Sequence, residues 1–509
     1  VSGVTRRNLS ANYIGTAWNA IMSVAFVPSY LAYLGAEAYG IIGLSAIIAS
    51  TMTTLDLGLV PMLTREVARY RGGVHRAESI RSLIRLVEVG VYTVGSLGLL
   101  SIWLASDWIA SDWLRAQSMQ PTEIANALRM LSAVVGLRFI EGMYRGVLIG
   151  LQRQVLSNVI ASLAATLRGA GSLGVLAWWS PTLNAFLWWQ FAVSALSLAV
   201  FAFFAHAAIP SANVSISLGM RVLRSSWPFA RGMILSSVLV LGLTQVDKLL
   251  LSRLLPLAEY GQYSFALVAA SCVAVAASPI GQAIYPRLTE MHARGDAEGF
   301  RYEFHRMAQL VSVVAGSIGA VVVVNSDKII ALWTGNPTLS GEISNPVRLL
   351  ALGGMLNSCM LAPYNCQLAA GWTSISNRAN LIAIVILIPA LMFVVPLAGT
   401  LGASATWAGL NAGYVLVCAP FFFQRQFPHE IRKWYVQDLL MPIGSAFTAC
   451  FTVRSVVSML PSSRTFDMSA VLLCFVAAGL AALASASIVR GQLVSAAKQL
   501  RATSGFWRH

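Results

Sequence analysis

YLGAEAYGIIGLSAIIASTMTTLDLGLVPMLTREVARYRGG, residues 33–73, carries a turn with Glu37, Tyr39 and Gly40, then an apolar run, then a loop dense in arginine. The stretch LLPLAEYGQYSFALVAASCVAVAASPIGQAIYPRLTEMHARGD, residues 254–296, repeats that plan: Gly40 aligns with Gly261 at an offset of 221, and Arg71-Gly72 with Arg294-Gly295 at 223. A helix crosses the hydrocarbon of a bilayer in about 20 mostly apolar residues. Each copy therefore reads as one outer hairpin, one span and one basic inner loop. The offset covers an even number of spans, so both copies run the same way across the membrane, as parallel repeats about an axis along the membrane normal.

The rest of the chain has the same character. Of 509 residues 57% are hydrophobic and 11% charged, with a mean hydropathy of +0.69, whereas soluble proteins carry roughly 25% charged residues. A single soluble core stops growing at about 250–300 residues, so a bilayer must take up the remaining apolar surface. Fourteen segments are long enough to cross it: 9–34, 38–64, 83–105, 124–150, 156–179, 183–206, 228–254, 260–288, 307–330, 347–370, 377–397, 401–423, 436–460 and 468–489. Arg6 and Arg7 ahead of the first resemble a signal-peptide flank. The run lacks a small-residue cleavage site, and we expect a retained span.

The net charge of +15 is explained by position. With the N-terminus inside, 23 of the 35 Lys and Arg fall in inner segments and two, Arg115 and Arg464, in outer loops. Positive residues stay on the cytoplasmic side, so both termini are expected there, in a bacterial inner membrane, and nucleic acid need not be invoked. Trp103, Trp108, Trp113, Trp178, Trp179 and Trp333 gather at the outer ends as interfacial anchors. The basic loop around residues 65–85 is a solvated inner face that can also touch anionic membrane lipids. All six cysteines lie in apolar runs, as small buried hydrophobes.

Tyr39-Gly40, LDLGLVPMLTREVARYRG at 55–72, QVDKLLLSRLLPLAEYG at 245–261 and PRLTEMHARGD at 286–296 resemble the polysaccharide-exporter branch of the multidrug/oligosaccharidyl-lipid/polysaccharide (MOP) exporter superfamily, the O-antigen and exopolysaccharide flippases. The resemblance implies an all-α, MATE-like integral membrane protein of about 14 helices. Two six-helix lobes, 1–215 and 216–435, would face each other in a V, with two further helices and a basic tail over 436–509. It implies movement of a polyprenyl-diphosphate-linked oligosaccharide from the inner to the outer leaflet, driven by a proton or sodium gradient. Polysaccharide polymerase and chain-length proteins would be the working partners.

Ionisable side chains deep in a span cost at least about 2.5–3.5 kcal/mol and usually face a bundle interior or a water-filled cavity. In the fourth span Arg138, Glu141 and Arg145 share one helical face. They read either as a basic stripe lining the cavity, with arginines suited to phosphate oxygens, or as an Arg–Glu pair fastening two helices. Arg168 stands alone in SLAATLRGAGSLG and should face the cavity or Glu141. In the seventh span Gln245, Lys248 and Ser252 share a face, with Asp247 turned about 100° away. Lys248 could hold a diphosphate or carry a proton; alternatively, Asp247 locks to a neighbouring helix while Lys248 snorkels outward. Asp56 either braces the adjoining loop or joins an ion-coupling site.

Other chemistries lack their residues. None of the four lysines follows glycine, so the phosphate-binding Gly-Lys-Ser/Thr core cannot occur, and the six histidines form no His-Glu-x-x-His. No Asp-x-Asp pair is present, and no Ser-His-Asp or Cys-His constellation shares a membrane depth. We therefore expect no metal, no cofactor and no enzyme. Two alternatives remain: a multidrug or cation antiporter of the same fold, which the absence of Asp and Glu from 9–34 disfavours, and a membrane glycan polymerase or ligase, which would need a large outer loop with clustered Arg and His.

Overall fold

The computed structural model describes residues 14–495 except 16, 55–58, 72, 74, 373, 460, 462, 493 and 494, and at 53–54, 225–240, 243–244, 286 and 374 it describes the backbone alone. Asp56 lies outside the described residues. The first part runs through α1 (Val27–Thr54), α2 (Leu59–Arg71), α3 (Ala77–Trp108), α4 (Pro121–Gly150), α5 (Gln154–Thr166), α6 (Ser172–Trp178), α7 (Leu183–Ala207), α8 (Ile216–Leu254) and α9 (Leu257–Ala270). It continues with α10 (Cys272–Ala293), α11 (Ala297–Thr334), α12 (Pro337–Cys359), α13 (Leu361–Ala369), α14 (Ser374–Gly413), α15 (Ala419–Gln426), α16 (Ile431–Lys433), α17 (Met441–Val457) and α18 (Arg464–Ser485). π-helical turns stand at Ile109–Trp113, Leu167–Gly171, Tyr414–Cys418 and Trp434–Leu440. No strand forms among the described residues.

This is an all-α, multi-pass membrane protein. Nine helical runs among the described residues are long and apolar enough to cross a bilayer. The expected fourteen passes are compatible with them. The run Ile375–Gln426 is 52 residues long, twice what one crossing needs, and breaks at Gly399, where φ is +52°. α1 likewise joins two helices across Gly35, at φ +81°. α4 falls outside the nine because of Arg129, Arg138, Glu141 and Arg145, although its length of 30 residues suffices.

The described residues form two compact units, one ending at Ser264 and one beginning at Phe265. In the first, α4 is the hub, packed against α1, α2, α3 and α7. Met62, Leu63, Ile80, Leu83, Met143 and Phe201 fill its core. In the second, α11 is the hub, with 20 of its 38 residues buried, and it packs against α10, α12, α17 and α18. Cys474, Ala478 and Ala482 recur every fourth residue along α18 and face Ala320, Val324, Ala446 and Cys450. Lipid chains are as apolar as leucine, so association in a bilayer rests on close packing, and small residues permit it. Asp327 reinforces this contact by accepting from both Arg454 nitrogens at 2.9 Å.

The repeat becomes a contact within the first unit. A Cβ on Gly40 would lie 2.6 Å from the Leu257 carbonyl oxygen, and one on Gly261 would lie 2.0 Å from that of Ala36 and 3.0 Å from the Gly40 nitrogen. The equivalent glycines of the two copies thus meet backbone to backbone. No larger residue fits while the helices keep that spacing.

Candidate functional site

The site expected in the first unit is built on a widened helical turn. Between α5 and α6 the backbone makes the π turn Leu167–Gly171. A π turn breaks the regular i to i+4 ladder, and side chains from other helices meet the carbonyls it presents. Trp189 Nε1 donates to Leu167 O at 2.8 Å, and the Tyr30 hydroxyl donates to Gly169 O at 3.1 Å. Gln190 Nε2 donates to Ser172 Oγ at 3.0 Å. The Arg-Gly-Ala-Gly sequence allows this approach: a Cβ on Gly169 would meet the Phe26 ring at 2.5 Å, and one on Gly171 the Trp189 ring at 2.4 Å.

Arg168 projects from this turn. Its Nη2 donates to Glu141 Oε2 at 3.2 Å, joining the fourth and fifth spans, while its Nε is buried without a hydrogen-bond partner. Glu141 is buried, and its partner is this arginine rather than one on its own helix. Arg138 lies within electrostatic reach of both Arg168 and Glu141. Arg138 and Arg145 are exposed on α4, and among the described residues neither forms an ion pair. Of these three arginines, Arg168 is the one paired with the Glu141 carboxylate among the described residues.

In α8, Lys248 Nζ lies 3.4 Å from Asp247 Oδ1, with Asp247 buried and Lys248 partly so. The two side chains meet despite the 100° between their positions, because the long lysine stem bends back. Ser252 accepts from Trp113 Nε1 at 3.1 Å.

Three polar clusters escaped the sequence reading. Glu37, in the repeated turn, accepts from the backbone N–H of Gln117, Ser118 and Met119 and from the Ser118 hydroxyl, at 2.7–3.1 Å, and so fixes the loop between the third and fourth spans. Glu88 takes Arg85 at 2.7 Å, His206 at 2.9 Å and the Tyr144 hydroxyl at 3.0 Å. In the second unit His305 sits between Asp438 and Glu430. In each, residues far apart in sequence complete the cluster. The Glu37 turn carried the one visible signal, its recurrence beside Gly40 and Gly261.

Residues 5–292 match the family described as polysaccharide biosynthesis protein. A Shigella flexneri protein provisionally described as an O-antigen transporter is 21% identical over 400 residues, covering 77% of this chain and 93% of that protein. Among solved structures, an inward closed conformation of the lipid II flippase MurJ aligns with a TM-score of 0.70 at 12% identity, over 96% of this chain and 99% of that one. An inward-facing multidrug resistance MATE transporter of the MOP superfamily aligns with a TM-score of 0.60 at 15% identity, over 83% and 96%. A Vibrio cholerae MATE transporter aligns at 0.56 and 13%, over 86% and 99%. The structures are too distant in sequence to carry more than the fold, but the matched family covers more than half of the chain. The chain belongs to the polysaccharide biosynthesis protein family, with the fold of the MOP superfamily.

Proposed function

We propose that this protein is a flippase, a secondary transporter that moves a polyprenyl-diphosphate-linked oligosaccharide across the bacterial inner membrane for surface or exopolysaccharide synthesis, and not an enzyme. The observation that carries the reading is the three-to-one excess of Arg138, Arg145 and Arg168 over Glu141 within apolar spans. Cationic groups held at such depth are costly unless an anion meets them, and a diphosphate supplies several acceptor oxygens. Arg168 keeps a buried Nε without a partner, and Arg138 and Arg145 offer exposed guanidinium groups suited to bidentate contact. Lys248 and Asp247 make a second, internally compensated pair, and with Asp56 they are the candidates for ion coupling or helix bracing. The lipid tail would remain in the bilayer while one six-helix lobe, 1–215, rocks against the other, 216–435.

The distribution of Lys and Arg supports a cytoplasmic position for both termini, and polymerase and chain-length proteins would receive the exported unit. Deleting the gene in its host and measuring lipid-linked oligosaccharide and exported polymer together tests the reading. Complete repeat units should accumulate in the inner leaflet while polymer falls. Unchanged glycan with new sensitivity to cationic drugs would replace it with the alternative of a multidrug antiporter of the same fold. Accumulation in the outer leaflet would instead indicate a polymerase or ligase.

A further inference from the structure

His305 is buried near the start of α11, with 1% of its side chain exposed and a carboxylate at each ring nitrogen. Nδ1 is hydrogen-bonded to Asp438, in the π turn Trp434–Leu440, and that carboxylate is fully buried. Nε2 lies 3.3 Å from Glu430 Oε2, outside hydrogen-bonding angles. The remaining oxygen of Asp438 accepts from Gln309 Nε2 at 2.9 Å, and Gln309 Oε1 in turn accepts from the Ile488 N–H, just past α18, at 2.9 Å. A continuous polar chain thus ties the hub helix to the start and the end of the last two spans.

A neutral imidazole has one donor and one acceptor, whereas the imidazolium has two donors. With neutral His305, donation to Asp438 leaves a lone pair facing Glu430. A proton on Nε2, or shared there with Glu430, gives both carboxylates a donor. The carboxylates stand at opposite ends of the ring, so a single metal ion could not bridge all three groups. Glu430 is partly exposed and lines a cleft of about 410 Å³ together with His292, Asp296, Glu298 and Arg301. Glu430 thus stands between that cleft and His305 Nε2, 3.3 Å from the ring nitrogen, so a proton taken up at Glu430 has a short path to the ring.

The other charges nearby are accounted for. Arg301 on α11 and Lys433 on α16 lie 3.5 and 3.6 Å from Glu430. Glu303 on α11 is held by Arg306 at 3.0 Å and by Arg287 of α10 at 2.8 Å. Ser487, beyond α18, faces Gln309 Nε2 at 3.4 Å. Asp438 has no cation other than His305 among the described residues, so loss of the His305 proton weakens the hold on a fully buried carboxylate.

We propose that His305 is a proton-binding site, loaded from the cleft through Glu430, and that the bound proton fastens the helical pair 431–485 to α11. The proposal is independent of what the transporter carries. The test uses the full chain in lipid nanodiscs with ¹⁵N-labelled histidine, the His305 signals being identified by their loss in His305→Gln and by their shift in Glu430→Gln. At pH 7 both ring nitrogens of the wild type should be protonated. In Glu430→Gln the second proton should be lost at the same pH, because an amide N–H can serve the Nε2 lone pair. A neutral His305 in the wild type, or an imidazolium unmoved by Glu430→Gln, overturns the proposal. Hydrogen exchange tests the fastening: raising the pH should cause loss of protection at 434–440 beyond the intrinsic rate change in the wild type, and in Glu430→Gln the protection should no longer follow pH. The same pH response in both proteins overturns the fastening.

Discussion

At the scale of single residues, the consequential positions are arginines whose partners are too few. Arg168→Ala and Arg138→Ala should each remove charged hydrogen bonds to the substrate diphosphate, worth about 1.5–3 kcal/mol apiece, and lower transport by roughly tenfold or more while membrane abundance is unchanged. Quantitative blotting beside a glycan export assay checks both halves; a collapse in abundance would make the arginines structural. Conversion to lysine separates charge from geometry. Lysine should retain part of the activity if a point charge suffices, and little if the planar fork is used. The sequence made this much legible, because a lone arginine in SLAATLRGAGSLG stands out against its apolar flanks. It did not reveal the donors around that arginine, since Tyr30 and Gln190 come from other helices and nothing in their own surroundings singles them out.

At the scale of elements, hydropathy carried most of the information. Spans were legible because bilayer thickness imposes one length on all of them, and α4 was recognised despite its charges because its length still matched. The π turns were not legible: one extra residue in a turn leaves composition unchanged and shifts the helical phase only downstream. Leu167–Gly171 depends on glycines that aromatic rings approach closely, which gives a test of sign. Gly171→Ala should destabilise the protein by about 1–3 kcal/mol through overpacking against Trp189. At Gly174 the nearest atom to a new Cβ is 3.5 Å away, an ordinary contact, so Gly174→Ala should be neutral or stabilising by up to about 1 kcal/mol from helix propensity. Thermal unfolding in one detergent compares the two. In the second unit, Asp327→Ala removes both carboxylate contacts of Arg454. It should weaken the hold of α17 on α11 by about 1–3 kcal/mol, visible as faster hydrogen exchange in α17 and α18 with α4 unaffected.

At the scale of the whole molecule, duplication organises the chain. The repeat at 33–73 and 254–296 was legible as a shared pattern of turn, span and basic loop, but the pattern does not say that the copies touch. They touch at Gly40 and Gly261 because both glycines fall on the face where α1 and α9 approach. Gly40→Val should force these backbones apart, costing about 1–3 kcal/mol or more. Gly261→Val should do the same, and the double substitution should fall short of the sum of the two, since one separation accommodates both side chains. A double-mutant thermal unfolding cycle measures that coupling; strict additivity would mean that the two glycines act independently.

That contact also bears on how such a chain can change over generations. Gene duplication ordinarily frees one copy to drift while its twin preserves the original role. Here each copy serves as the mould for the other at the same position, so neither can gain bulk at its glycine without displacing its twin. Innovation in a duplicated chain built this way is directed away from the shared surface, toward faces such as α4 and the π turn after α5, where the halves need not stay alike.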